Sequence, residues 1–194
     1  MATLTLAPAP TLTYEAYLAE PEVQGRYDIV NGVRIFMSGA TWDHQTFLMN
    51  LVERLRQYGR MTGIGKANVA PFDVLIRRFP KLQTRQPDLL FISFTRLAQA
   101  GGRPAKGPLS VAPELVVEII SDRETQQILK DKLADYCEIG VDECWVVRPD
   151  TRTVEVLALS ADAVRSVAVY TETQTAASVV FAGLSTAVAD IFAE

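Results

Sequence analysis

Two acidic residues lie inside or beside apolar runs that are expected to be buried. Asp88 precedes the run Leu89–Ile92, and Glu118 lies within the apolar run 115–120. Acidic side chains are rarely buried in full unless they pair with a cation or bind a metal. If the two runs are neighbouring strands, both carboxylates could converge on one Mg²⁺ ion, which takes one or two carboxylates and keeps several waters. Such an ion can activate water for attack on a phosphate.

Each acid taken singly also has an ordinary structural explanation. Asp88 follows a proline, and Pro-Asp is common where a turn leads into a strand. Glu118 could form a salt bridge with a nearby arginine. The presence of both acids favours a metal site. The sequence nevertheless leaves the two structural explanations open.

A lysine lies on the apolar face of the helix predicted to follow Glu118. Lys132 falls within the apolar arc of that helix, which comprises Ile128, Leu129, Leu133, Tyr136, Cys137 and Ile139. A lysine close to two carboxylates could polarise an attacking water or neutralise charge in the transition state. Alternatively, its stem packs and its ammonium group reaches solvent.

The charge distribution is uneven along the chain, although the net charge is −4. Nine Lys or Arg and two acids lie in 60–106, whereas 112–160 holds eleven acids and five bases. A basic face that leads to an acidic site suits a phosphodiester substrate. The candidates to hold phosphates are Arg77, Arg78, Lys81 and Arg85, unless they simply flank a hairpin.

The elements that must position these residues predict an α/β fold with a mixed sheet flanked by helices. Asn31-Gly32 between two β-rich runs predicts a hairpin with a type I′ turn. The first half of the chain is predicted to hold a helix at 13–18 with Thr13 as N-cap and an amphipathic helix at 43–58 broken by Gly59 to Gly65. Strands are predicted at 69–76, 87–93 and 114–120, with a loop at 97–110. The second half is predicted to hold a helix capped by Ser121-Asp122 and ended by Gly140, strands at 143–147 and 153–159, and further strands with a short helix at 185–192.

Length and composition predict one domain over residues 11–194, preceded by a loose tail at 1–10. No apolar stretch is long enough to cross a membrane, and the first ten residues lack the basic start of a signal peptide. Cys137 and Cys144 are expected to be reduced and buried. We therefore expect a cytoplasmic protein.

Several segments, in this order and with compatible spacings, resemble the Uma-two family within the PD-(D/E)XK nuclease superfamily. They are Arg26-Tyr-Asp-Ile-Val-Asn-Gly, Pro87-Asp-Leu-Leu-Phe-Ile, Pro113-Glu-Leu-Val-Val-Glu-Ile-Ile-Ser, Lys132-Leu-Ala-Asp-Tyr and Gly140-Val-Asp-Glu-Cys-Trp-Val-Val-Arg-Pro. The resemblance implies a restriction-endonuclease-like core with an N-terminal hairpin and helices on both faces of a mixed sheet. It also implies a nuclease that acts on nucleic acid. DNA is the expected substrate, and a homodimer is the expected oligomeric state.

The same resemblance implies the site residues. Asp88 and Glu118 would bind Mg²⁺ or Mn²⁺, with the Ile119 carbonyl as a further ligand. The lysine of the superfamily normally stands two residues after the acid, where this chain has Ile120, so Lys132 is expected to replace it. Asp28 stands where the family usually has the longer Glu, and it is expected to be accessory to the site, as is His44.

His44 and Trp145 each allow two interpretations. His44 could contact phosphate, shuttle a proton or pair with an acidic residue, or it could simply bond to backbone at a helix start. Trp145 is expected in the core rather than as a stacking platform for bases. For the whole protein, the alternatives to a nuclease are a catalytically inactive nuclease-fold binding protein and a scaffolding protein whose buried acids pair with arginines.

Overall fold

The computed structural model describes residues 11–121 and 125–194. Five helices and twelve strands are found in these residues. In chain order they are α1 (Tyr14–Ala19), β1 (Tyr27–Val30), β2 (Val33–Phe36), α2 (Trp42–Thr62), β3 (Gly65–Val69), β4 (Val74–Arg77), β5 (Gln83–Arg85), β6 (Leu89–Ser93), α3 (Phe94–Gln99), β7 (Leu115–Ile119), α4 (Gln126–Ile139), β8 (Glu143–Arg148), β9 (Thr153–Ser160), β10 (Ala163–Tyr170), β11 (Thr175–Ala177), β12 (Ser185–Ala187) and α5 (Val188–Ile191).

The central sheet has six strands in the order β10-β9-β8-β7-β6-β3. Only β7 and β8 run parallel, because the chain returns between them through α4, and the other neighbours are antiparallel. The sheet is therefore mixed, as predicted. Strand β7 is fully buried, which agrees with its continuous apolar run.

Helices cover both faces of this sheet, as predicted. Side chains of α2 and α5 pack with Leu89, Phe91 and Val117 on one face. Side chains of α4 pack with Leu90 and Val116 on the other face. Alternate residues of β6 and β7 thus contribute to two separate cores.

A second, four-stranded sheet has the order β2-β1-β5-β4 and contains the N-terminal hairpin. Asn31 (φ 53°) and Gly32 (φ 76°) form the turn of this hairpin with the two positive φ angles of the predicted type I′ geometry. The hairpin pairs with β5 through Ile29 and Thr84. The second sheet thereby brings residues 26–28 into contact with residues 83–86.

The second helix ends within the predicted break at Gly59 to Gly65, but four residues later than the predicted end at residue 58. Helix α2 continues through Gly59 to Thr62 and ends at Gly63, whose φ is 67°. The absence of a side chain at Gly59 allows β3 to lie against the helix. A Cβ there would stand 2.7 Å from the Gly65 carbonyl oxygen and 3.2 Å from the Phe91 ring.

Three further boundaries differ from the sequence prediction. The single strand expected at 69–76 is two strands, β3 and β4, which belong to different sheets. The start of the expected loop at 97–110 is the end of helix α3. Helix α4 begins at Gln126 with Thr125 as its N-cap, because the Thr125 hydroxyl accepts from the Ile128 amide. The expected cap Asp122 and the tail 1–10 lie outside the described residues.

Other expectations are met at the level of single residues. Thr13 caps α1, and Gly140 (φ 84°) ends α4. Cys137 and Cys144 are free and buried. Across 11–121 and 125–194, none of the helices has the length and apolar character to span a membrane.

Candidate active site

Asp88 and Glu118 come together at one end of β6 and β7. The antiparallel register places Leu89 opposite Val117, so the residues next to them, Asp88 and Glu118, adjoin across the two strands. The Ile119 amide donates to Asp88 Oδ2 at 2.6 Å, which ties the two strands together at this point. Both carboxylates are buried, with Asp88 2% exposed and Glu118 0% exposed.

Asp88 is held by three donors from three parts of the chain. Arg26 Nη1 donates to Asp88 Oδ1, and His44 Nε2 lies 3.2 Å from the same oxygen. The Ile119 amide binds the other oxygen. Burial by itself raises the pKa of Asp88, but the contacts with His44, Arg26 and the Ile119 amide outweigh it and lower that pKa. Asp88 is therefore a carboxylate at neutral pH.

Glu118 is held from the face that α4 covers. Lys132 Nζ lies 2.8 Å from Glu118 Oε2, and the Tyr136 hydroxyl donates to Glu118 Oε1 at 2.5 Å. Residues four apart on a helix lie on one face, so one face of α4 supplies both donors. Burial and the charges of Glu118 and Asp28 raise the pKa of Tyr136 well above its usual value. Tyr136 thus remains a neutral donor.

Arg26 connects the two carboxylates electrostatically. Burial lowers the pKa of Arg26, but the charges of Asp88 and Glu118 reverse this effect and raise that pKa. Its Nη2 also donates to the Gln86 carbonyl at 3.0 Å. Arg26 Nε is buried without a hydrogen-bond partner among the described residues, as is His44 Nδ1. A buried donor without an acceptor is costly, so an anionic oxygen bound beside Arg26 would be stabilised.

Asp28 does not contact Asp88 but belongs to a neighbouring buried network. Arg85 Nη1 donates to Asp28 Oδ2 at 2.9 Å, and Arg85 Nε donates to Asp135 Oδ2 at 2.6 Å. The Gln86 amide donates to Asp28 Oδ1, and the Gln83 amide group donates to Asp135. This network joins β1, β5 and α4, and so it sets where α4 presents Lys132 and Tyr136.

The four cations expected to hold phosphates differ in exposure and in partners. Arg85 is 5% exposed and paired with two acids, so it cannot reach a phosphate at the surface. Arg77 pairs with Glu138 and Asp135. Arg78 stacks over the Tyr14 ring, and Lys81 is exposed. Arg85 is therefore a cross-link within the fold.

The donor set fits a hard divalent cation with few protein ligands. Two carboxylates and the Ile119 carbonyl are the oxygen ligands that Mg²⁺ accepts together with waters, and Mn²⁺ has similar preferences. Each carboxylate has about four lone-pair positions, more than the contacts of Asp88 with Arg26, His44 and the Ile119 amide occupy. Within 11–121 and 125–194, no group of three or more His, Cys, Asp or Glu could form an all-protein metal cage.

Sequence reasoning missed Arg26, Tyr136 and Asp135. Arg26 and Tyr136 lie within the segments that carried the family resemblance, and Tyr136 lies on the apolar arc with Lys132. Their presence in those segments was the available signal. Trp145 is 0% exposed and donates to Glu143 at 2.5 Å, so its expected place in the core is confirmed.

Comparisons with known proteins identify the family and the fold of the chain. The family model of Uma2, described as "putative restriction endonuclease", matches residues 13–189. The chain also resembles the crystal structure of a putative nuclease belonging to DUF820 from Anabaena variabilis ATCC 29413, with a TM-score of 0.75 and 18% identity over 93% of this chain and 97% of that one. At this identity the likeness shows the fold. No curated protein matches the chain.

Proposed function

The chain belongs to the Uma2 family, and from this premise we propose that it is a metal-dependent nuclease that hydrolyses phosphodiester bonds of nucleic acid. One observation carries the proposal. Asp88 and Glu118 adjoin across β6 and β7, joined by the Ile119 amide, and Lys132 stands beside Glu118. A pair of buried carboxylates with a lysine is a suitable arrangement for phosphodiester hydrolysis.

Each side chain at the site has a separate role in this proposal. Asp88, Glu118 and the Ile119 carbonyl would hold Mg²⁺ or Mn²⁺, which when bound lowers the pKa of a water and screens phosphate charge. Lys132 Nζ, held by Glu118, orients the attacking water and neutralises charge that develops on the phosphate. Arg26, whose Nε has no acceptor in the described residues, donates to a phosphate oxygen.

The test is cleavage of plasmid DNA and of single-stranded DNA and RNA oligonucleotides by the purified protein. We expect cleavage with Mg²⁺ or Mn²⁺, none with EDTA, and a loss of at least 100-fold in Asp88→Ala and Glu118→Ala, on the order of magnitude seen when a group that stabilises the transition state is removed. Asp162→Ala, at an exposed acid, is the matched control. Equal activity in wild type and Asp88→Ala, or none in either, contradicts the proposal.

A second candidate function has one specific observation in its favour. Arg26 and Lys132 already supply two positive charges to the two carboxylates. A nuclease fold that has lost turnover, and serves as a binding or scaffolding protein, would need no metal at this position. Calorimetric titration with Mn²⁺ separates the two: specific binding that disappears in Glu118→Ala supports the nuclease, and no specific binding supports the second candidate.

We take DNA as the substrate and a homodimer as the active form. A nuclease that cuts both strands of a duplex needs two active centres, and a symmetric dimer is the simplest way to supply them. Sedimentation analysis with and without a DNA duplex tests the dimer. Relative cleavage rates on DNA and RNA of the same sequence test the substrate.

A further inference from the structure

A groove of about 540 Å³ lies between α2 and the edge strand β3. Strand β3 is the last strand of the central sheet on this side, so one of its edges has no neighbour in that sheet. The groove contains cationic, amide and aromatic side chains together. Its lining includes Arg56, Arg60, Lys66, Asn68 and Phe94, together with small and apolar residues of α2 and β3.

The charges of the three cations in this groove are not neutralised by acids of the described residues. Arg56, Arg60 and Lys66 form no ion pair with any described residue, whereas the arginines on α3, β8 and the turn after it pair with acids. No acidic residue is found among the described lining residues. Glu53, the acid nearest to Arg56 along α2, lines a different groove. This patch is therefore positive on a protein whose net charge is −4.

Helix stability explains only one of the three. Arg60 lies in the last turn of α2, where a cation interacts favourably with the helix dipole. Arg56 lies one turn earlier, and Lys66 lies on the neighbouring strand. Cations from two elements that face one groove indicate a bound anion with more than one charge.

Strand β3 runs from the groove toward Asp88. Val69 at the end of β3 pairs with Leu89, and the Ala70 amide donates to the Asp88 carbonyl at 3.2 Å. Lys66 precedes Ala70 by four residues, about 13 Å along an extended strand. A polyanion lying along β3 would thus run from the three cations to the start of β6, where Asp88 lies.

Phe94 adds a second kind of contact. Its ring is 50% exposed and lies in the groove lining. Surfaces that bind single strands combine cations for the backbone with exposed aromatic rings on which bases stack. A duplex, whose bases are already stacked, would use the cations but gain little from Phe94.

We propose that the groove between α2 and β3 binds the sugar–phosphate backbone of the nucleic acid and guides it to Asp88 and Glu118. Arg56, Arg60 and Lys66 contact successive phosphates, and Phe94 stacks on an unpaired base. The inference rests on the proposed nuclease function. It replaces the surface expected from the sequence around Arg77 to Arg85.

The test compares two triple variants that remove the same number of charges. Arg56→Gln/Arg60→Gln/Lys66→Gln removes the groove cations, and Arg103→Gln/Arg165→Gln/Lys106→Gln removes three exposed cations elsewhere. Affinity for fluorescein-labelled single-stranded and duplex DNA is measured by anisotropy in EDTA, from 0.05 to 0.3 M salt. Because no cleavage occurs in EDTA, the measurement is independent of catalysis.

For single-stranded DNA, we expect the slope of log K against the logarithm of the salt concentration to be shallower by about 2 in the groove variant. Its affinity at 0.1 M salt is expected to fall on the order of 100-fold. The control is expected to lose less than one unit of that slope. Equal losses in both variants, or a larger loss in the control, overturn the proposal. If the groove triple does not fold, Arg56→Gln and Lys66→Gln are measured singly, each with an expected slope change of about 0.7.

Two further measurements sharpen the result. Phe94→Ala is expected to weaken single-strand binding at least about fivefold and duplex binding less, and an equal effect on both overturns the stacking role. A groove variant that changes the oligomeric state but not DNA affinity would mean that a second copy occupies the groove, which also overturns the proposal. If the wild-type protein cleaves DNA and the two triple variants bind DNA equally well, the groove proposal fails and the nuclease proposal stands. If the wild-type protein binds DNA through the groove but does not cleave it, the nuclease proposal fails and the groove proposal stands.

Discussion

Lys132 Nζ contacts Glu118 Oε2 at 2.8 Å although the two residues lie on different elements, 14 positions apart. The position two residues after Glu118 is Ile120, which packs against the core beneath α4. The ammonium group thus reaches the carboxylate from the helix rather than from the strand. An apolar residue can therefore stand at 120 without removing a lysine from the site.

Replacement of Lys132 is expected to affect both activity and stability. Lys132→Met leaves the fully buried Glu118 without its ammonium partner, and breaking a buried ion pair costs about 3–5 kcal/mol. We expect cleavage to fall at least 100-fold. Urea unfolding gives the free energy of unfolding, and the plasmid assay gives the rate.

The matched control for this variant is Lys130→Met, two residues earlier on the same helix and exposed. It is expected to leave the free energy of unfolding within about 0.5 kcal/mol of wild type. If Lys130→Met and Lys132→Met lose activity equally, Lys132 has no specific part in hydrolysis.

Arg85 is expected to matter for folding rather than for nucleic-acid binding. Arg85→Met leaves Asp28 and Asp135 buried without their shared guanidinium, so we expect a loss of about 3–5 kcal/mol in the free energy of unfolding. Arg148→Met, which breaks a partly exposed pair with Glu155, is the control and is expected to lose about 1 kcal/mol or less. Similar losses in the two variants would contradict the buried network.

Asp88 is expected to make stability depend on pH in the acid range. The pKa of Asp88 is lowered in the folded protein from its usual 3.8, so its contribution is complete above that pH and is lost as the pH falls through the folded value. In EDTA, Asp88→Asn should lower the free energy of unfolding at pH 7 by about 1–3 kcal/mol. The difference from wild type should shrink below about pH 4.

Asp162→Asn serves as the control for this pH dependence, because Asp162 is exposed in the turn between β9 and β10. Its difference from wild type is expected to stay near zero from pH 3 to pH 7. A difference between wild type and Asp88→Asn that does not change over this range would contradict the charged contacts assigned to Asp88.

Gly59 is expected to reject even the smallest side chain. In an exposed helix interior, Gly→Ala stabilises by up to about 1 kcal/mol. At Gly59 the new Cβ would meet the Gly65 carbonyl oxygen at 2.7 Å, so we expect Gly59→Ala to destabilise by about 1–3 kcal/mol. Gly39→Ala, where no atom lies within 4 Å, is the control. A stabilised Gly59→Ala protein would show that β3 does not lie against α2 in this way.

Much of the local structure could be predicted from neighbouring residues. Asn31-Gly32 predicted its turn, Thr13 its helix cap and Gly140 a helix end, because each depends on the conformation of a few adjacent residues. The buried runs around Asp88 and Glu118 predicted two core strands. The boundaries of α2 and β3 could not be predicted, because Gly59 looks like a helix breaker until β3 is packed against it.

By itself the sequence determined that two acids would be buried and that Lys132 lies on an apolar helix face, since burial follows from residue type and periodicity. Only the tertiary structure decided which charges meet. Arg26 and Asp88 are 62 positions apart, and Arg85 and Asp135 are 50 apart. Such pairs depend on the path of the whole chain. An arginine that belongs to a basic cluster in the sequence, such as Arg85, can therefore be an internal cross-link. For the same reason Arg56, Arg60 and Lys66, which lie on two separate elements, share one groove.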